Sequence, residues 1–147
     1  MNNIGRILAL DYGQRKVGLA LSDPLGITAS PLTTIRYTSR PRLLEQLQAV
    51  IREREVAELV IGVPYTMAGG ESRFTKEVKA FVDWISRQVD LPVHTIDERL
   101  SSEAAKRTLI QMGVKTGHNK ERIDAMAAAH ILRDYLDIRD ASDAGSD

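Results

Sequence analysis

Two short apolar runs near the amino terminus, "RILAL" and "VGLALS", are separated by the six residues 11–16, with Gly13 inside the gap. That spacing suits a β-hairpin whose turn uses the glycine. It commits the chain to antiparallel pairing at the outset. The first run ends in a charge, Asp11, and a buried unpaired charge is costly. The hairpin therefore raises a question about what that carboxylate meets.

Further along, "ITASPLTTI" reads as a third short strand, confined to a sheet edge by Pro31. Leu43, Leu44, Leu47, Val50 and Ile51 recur at helical spacing between Arg42 and Glu55. "ELVIGVP" reads as a buried strand stopped by its proline, and the loop "YTMAGGES" follows. Helical period returns with Phe74, Val78, Phe81, Val82, Ile85 and Val89, and "LPVHTID" forms a further strand. Ser101 or Ser102 can cap a helix running to Met112. After the polar loop "GVKTGHNKE", an alanine-rich helix is predicted from Ile123 to about Tyr135. A hairpin group followed by alternating helix and strand predicts an α/β mixed sheet, antiparallel at one side and parallel at the other.

Size and composition narrow the class. At 147 residues the chain fits one domain, expected over residues 1–138, with the polar residues 139–147 expected to be a disordered tail. Lys plus Arg and Asp plus Glu both total 20, so no overall charge declares a nucleic-acid partner, although a basic face can hide in the balance. The absence of cysteine excludes disulfides and thiolate metal sites. No apolar run reaches about 18 residues, and "MNNIGR" lacks the apolar stretch of a signal peptide. The expectation is a soluble cytoplasmic protein with no membrane partner.

In sheets of this class ligands gather at the carboxyl ends of the parallel strands. Three acidic positions can be traced there: Asp11 closing the first strand, Asp97-Glu98 after "VHTI", and Asp124 near the start of the last helix. Carboxylates are the ligands that hard Mg²⁺ or Mn²⁺ takes, so three that converge suit one or two ions acting on a phosphodiester. Gly13 would let a nucleic-acid backbone approach the turn, with Arg15 and Lys16 near enough to meet phosphates. Each residue also has an ordinary explanation. Aspartate is a common turn residue, and acids are favoured at helix starts by the helix dipole. His94, His118 and His130 show no metal-ligand spacing and read as structural.

Together "LALDYGQRKVGLALSD", "VIGVPYTMAGG", "DERLSS" and "IDAMAAAHIL", in that order, resemble the YqgF family, also called RuvX, of pre-16S rRNA nucleases. The likeness covers the chain from about Arg6 to Leu136. It implies an RNase H-like fold related to the RuvC Holliday-junction resolvases, and a metal-dependent endonuclease acting on precursor 16S rRNA or on four-way DNA junctions. By the same resemblance Asp11, Glu98 and Asp124 are the catalytic, metal-holding acids. Strand alternation turns Asp97 and Glu98 to opposite faces, and the resemblance selects Glu98. The basic residues beside the motifs, Arg15, Lys16, Arg99, Lys120 and Arg122, are with Gly13 the expected substrate contacts. One departure is visible: where the family commonly has Asn-x-Asp-Gly, this chain has Thr66-Met67-Ala68-Gly69. A single-cut ribonuclease could be a monomer, whereas paired cutting of a junction needs a homodimer. Two other readings are weighed. The Asp-x-Gly hairpin is similar to the phosphate loop of actin-like and sugar-kinase ATPases, but those need a second lobe. A non-catalytic RNA-binding factor would have no need of three acids.

Overall fold

The computed structural model describes residues 5–98 and 120–145. Strands β1 (Arg6–Tyr12), β2 (Lys16–Ser22) and β3 (Ala29–Arg36) precede helix α1 (Arg40–Glu53). Then come β4 (Val56–Val63), α2 (Arg73–Gln88), β5 (Val93–Asp97) and α3 (Lys120–Gly145). The five strands form one sheet in the order β3-β2-β1-β4-β5. β1–β2 and β2–β3 are antiparallel, while β1–β4 and β4–β5 are parallel. This is the mixed sheet expected from the order of sequence patterns.

Strand alternation divides the core into two layers. Leu8, Leu10, Tyr12, Val17, Leu19, Leu59, Ile61 and Val63 face α1 and α2, where Leu43, Leu47, Val78, Phe81 and Ile85 are buried against them. Ile7, Ala9, Ala20, Val60 and Ile96 face α3, which buries Ala128, Ile131, Leu132 and Leu136. The alanines on both sides of that second interface allow the helix to lie close to the sheet.

Local chemistry sets the ends of the helices. Ser39 caps α1 by accepting from the Arg42 amide at 3.3 Å, with Pro41 in the first turn. Ser72 and Thr75 form a reciprocal capping box on α2, each side chain accepting from the other's amide at 3.1 Å. The buried Thr75 hydroxyl also donates to the Pro64 carbonyl, which ties the start of α2 to the end of β4. Pro31 lies on the edge strand at a register shift, where Leu19 pairs with Thr33 but Ala20 pairs with Pro31, so its missing N–H does not interrupt a regular ladder.

The last helix corrects one expectation. Residues 139–145 are not a disordered tail but the continuation of α3. Arg139 reaches the Gly26 carbonyl at 3.3 Å and Arg133 reaches the Ile27 carbonyl at 3.0 Å, so the loop between β2 and β3 fastens the helix past its last buried apolar residue. The helix also begins at Lys120, a few residues before Ile123. The predicted helix ending at Met112 lies outside the described residues. No described helix is long and apolar enough to cross a membrane.

Candidate active site

Asp11 occupies the last-but-one position of β1, and alternation places it with Ile7 and Ala9 on the face toward α3. Its neighbour Tyr12 points to the other face, where its ring meets Phe81 at 4.6 Å, Tyr37 at 5.6 Å and Phe74 at 6.2 Å. Burial, reinforced by Tyr37 and Glu77, raises the Tyr12 hydroxyl far above its ordinary value, so the phenol stays neutral. The aromatic cluster fixes the backbone from which Asp11 projects.

Glu98 follows β5 directly, and its amide donates to the Val63 carbonyl at 3.0 Å. Ile96 faces α3, so two residues on Glu98 has the same parity and Asp97 the opposite one, as alternation required. Burial pushes the Glu98 carboxyl above its ordinary range, and a hydrogen bond with Asp11 pulls it part of the way back. The first and third motifs thus meet in space across β4. A hydrogen bond between two carboxyl groups needs a proton on one of them. A divalent cation can take that proton's place, so this donor pair fits Mg²⁺ or Mn²⁺.

Glycine makes the room. Asp11 pairs across the ladder with Gly18 on β2, while on the other side Leu10 pairs with Ile61, which brings Gly62 level with it. A Cβ on Gly62 would lie 3.5 Å from the Glu98 carboxyl carbon and 2.7 Å from Ile131 Cδ1. The absence of a side chain at Gly62 therefore lets Glu98 and Ile131 approach β4 closely. Sequence reasoning missed Gly62, although a lone glycine inside the apolar run "LVIGV" signals a close approach.

The other expected residues divide by place. Gly13 is demanded by the turn itself, because a Cβ there would stand 2.6 Å from the Lys16 carbonyl oxygen. Arg15 is exposed and its carbonyl accepts from the Tyr37 amide at 2.7 Å; Lys16 is half-buried on the Asp11 face. Lys120, Arg122 and Asp124 lie in the first turns of α3, with Asp124 about two turns before Ile131. Arg99 and His118 lie outside the described residues. Among the described side chains, which do not include that of Asp124, no group of three acids or histidines converges, and Asp11 and Glu98 meet as a pair. His94 stacks on Tyr135 at 5.5 Å and lies 3.9 Å from Glu58, a structural setting. In the divergent loop, Thr66 closes a turn on itself. Its hydroxyl accepts from the Gly70 amide at 2.9 Å and its own amide donates to the Gly70 carbonyl at 2.9 Å.

Comparison with known proteins agrees with this fold. The family described as "RuvX: Holliday junction resolvase" matches residues 5–138. A pre-16S rRNA nuclease of Roseiflexus sp. is 44% identical over 133 residues, covering 90% of this chain and 94% of its own length. Its counterpart in Koribacter versatilis is 40% identical over 135 residues, covering 92% and 88%. Among solved structures, RuvC of T. thermophilus in complex with a Holliday junction substrate superposes with a TM-score of 0.57 at 14% identity, covering 91% of this chain and 95% of that one. The Fowlpox virus resolvase bound to junction DNA gives 0.54 at 10% identity, covering 90% and 97%. At those identities the likeness shows the RuvC-like, RNase H-type fold alone.

Proposed function

We propose, since this chain belongs to the RuvX family, that it is a cytoplasmic metal-dependent endonuclease hydrolysing a phosphodiester of precursor 16S rRNA at its 5′ end. The observation that carries the reading is the meeting of Asp11 and Glu98 at the carboxyl end of the sheet, beside Gly62, whose missing side chain lets Glu98 and Ile131 come close to β4.

Asp11 and Glu98 would hold Mg²⁺ or Mn²⁺, with Asp124 from the start of α3 as the third acid. A bound ion supplies a water of lowered pKa and offsets charge on the leaving oxygen. The chain's own residues do the rest. Partial burial of Glu98 strengthens charge interactions there. Arg15, Lys16, Arg99, Lys120 and Arg122, with Gly13 at the hairpin turn, would contact the substrate's phosphates. The same acids would serve a junction resolvase, the activity named in the family's description. A resolvase, however, must cut two strands symmetrically and needs paired sites and a broad basic surface, whereas the chain is charge-balanced. Single-site cutting requires no more than a monomer.

A side-by-side assay of precursor 16S rRNA and an immobile four-way DNA junction, in Mg²⁺ and in Mn²⁺, tests the proposal. Cleavage of the RNA is expected, lost in Asp11→Asn, Glu98→Gln and Asp124→Asn with unchanged circular dichroism. Symmetric paired incisions in the junction with the RNA left intact would establish the resolvase reading instead. RNA binding without cleavage by either metal would leave a non-catalytic factor.

A further inference from the structure

Antiparallel pairing between β2 and β3 sets Lys16 directly opposite Arg36. Residues so paired project from the same face with Cβ atoms about 5 Å apart, and like charges in that relation repel. The face is the one that carries Asp11. Asp11 pairs with Gly18 and Gly18 with Thr34, so Lys16 and Arg36 form the next row outward on that side of the sheet. Lys16 is thus a diagonal neighbour of Asp11, about 8 Å away, and Arg36 lies one strand further.

The backbone leaves this pair no easy escape. The ladder fixes the register, the Tyr37 amide donates to the Arg15 carbonyl at 2.7 Å, and the Tyr37 ring packs edge-on against Tyr12 at 77°. The turn is closed by the contact that only glycine permits at residue 13. Among the described residues, neither Lys16 nor Arg36 has a side-chain hydrogen bond or ion pair to relieve the repulsion. Arg36 is exposed and Lys16 half-buried, so both ammonium and guanidinium can be reached from solvent. Two cations set side by side by the strand register, next to a carboxylate pair, create a local positive field that favours an anion.

We propose that Lys16 and Arg36 form a phosphate clamp for the nucleic-acid backbone next to the scissile phosphate, with Arg36 as its outer jaw. The clamp rests on the reading of the Asp11–Glu98 pair as a phosphodiester-cleaving centre and deepens it. Substrate would run from the carboxylates across β2 toward the β3 edge, which assigns a direction to its path over the sheet. An arginine at the outer position can grip a phosphate with two parallel N–H donors, as lysine cannot.

Salt dependence of binding provides the test, because removing one phosphate contact flattens the plot of log K against log salt by about 0.7 for a single strand. Fluorescence anisotropy of a labelled single-stranded segment of precursor 16S rRNA, measured on the full chain carrying Asp11→Asn to keep the RNA intact, gives the parent slope. Arg36→Gln and Lys16→Gln should each flatten it by about 0.7, with affinity lowered several-fold at low salt. Arg36→Lys should keep most of the slope, and Arg54→Gln, at the far end of α1, all of it. Thermal melting of Arg36→Gln should be no lower than that of the parent, since a like-charge pairing is removed. A parent that fails to bind the RNA refutes the nuclease reading itself. A parent that binds with a normal slope, which Arg36→Gln leaves unchanged, refutes the clamp alone.

Discussion

At the scale of single residues, Glu98 is half-buried, and its carboxyl is pushed up by that burial. A folded-state pKa raised above the unfolded value means that the folded chain holds the proton more tightly. The contribution of Glu98 to stability is therefore present below the ordinary glutamate range and lost as pH rises through the raised value. Metal-free Glu98→Gln should accordingly melt at or above the wild-type temperature at pH 7, and the difference should close as the solution is acidified below the ordinary glutamate pKa of about 4.3. A variant melting well below wild type at pH 7 would assign Glu98 a structural hydrogen-bonding role. Asp23 has the opposite sign. Its carboxylate accepts from the Ile27 amide at 2.6 Å and the Thr28 amide at 2.9 Å, and backbone donors such as these lower its pKa. Its stabilisation is present at neutral pH and is lost as pH falls through the lowered value. Asp23→Ala should therefore lower the melting temperature at pH 7 and make no difference in strong acid. Equal effects at both pH values would mean that the carboxylate's charge is not what matters there. Asp11 was legible in the sequence as a charge ending a buried strand, and Glu98 through the family resemblance of its motif. Arg36 was not, because cross-strand register decides which residues face each other, and no local pattern encodes it.

At the scale of elements, the contact between β4 and α3 sets the height of the helix over the carboxylates. Ile131 Cδ1 lies only 2.7 Å from where a Gly62 Cβ would stand, too close for any rearrangement short of moving Ile131 or the helix. Gly62→Ala should destabilise the protein by about 1–3 kcal/mol, the usual range for overpacking. Ile131→Val removes the colliding methyl and by itself should cost about 0.5–1.5 kcal/mol. In combination the two should cost less than their sum, and a urea-unfolding double-mutant cycle would read that coupling. Strict additivity would show that the helix is positioned elsewhere. The elements themselves were readable where apolar spacing was strong, as in the stripes of α1 and α2. The continuation of α3 to Gly145 was hidden because residues beyond Leu136 bury no apolar stripe. Arg139 instead reaches a backbone carbonyl of a loop more than a hundred residues earlier.

At the scale of the molecule, the two faces of the sheet have separate tasks. Aromatic and aliphatic packing under α1 and α2 fills one face, while the other packs small residues against α3 and carries the carboxylates at its carboxyl end. Order of elements foretold this architecture, since a hairpin followed by helix–strand alternation has few ways to close. The division of labour implies that the acids are held in place by a core they do not help to form. Asp11→Asn should therefore leave metal-free stability at or above wild type, because the amide can donate to the Glu98 carboxylate without a shared proton. A divalent ion that binds only the folded state should stabilise it by about 2.7 kcal/mol at a hundredfold excess over its dissociation constant. Calorimetric melts in Mn²⁺, Mg²⁺ and Ca²⁺ should show a rise for wild type with each ion, including Ca²⁺, whose looser coordination is expected to support little turnover. In Asp11→Asn the rise should shrink while the metal-free melt stays at or above the wild-type value. If millimolar Mn²⁺ left the wild-type melt unmoved while the protein cleaved RNA, the acids would be binding no ion ahead of substrate, and the site would be completed only when the phosphate arrives.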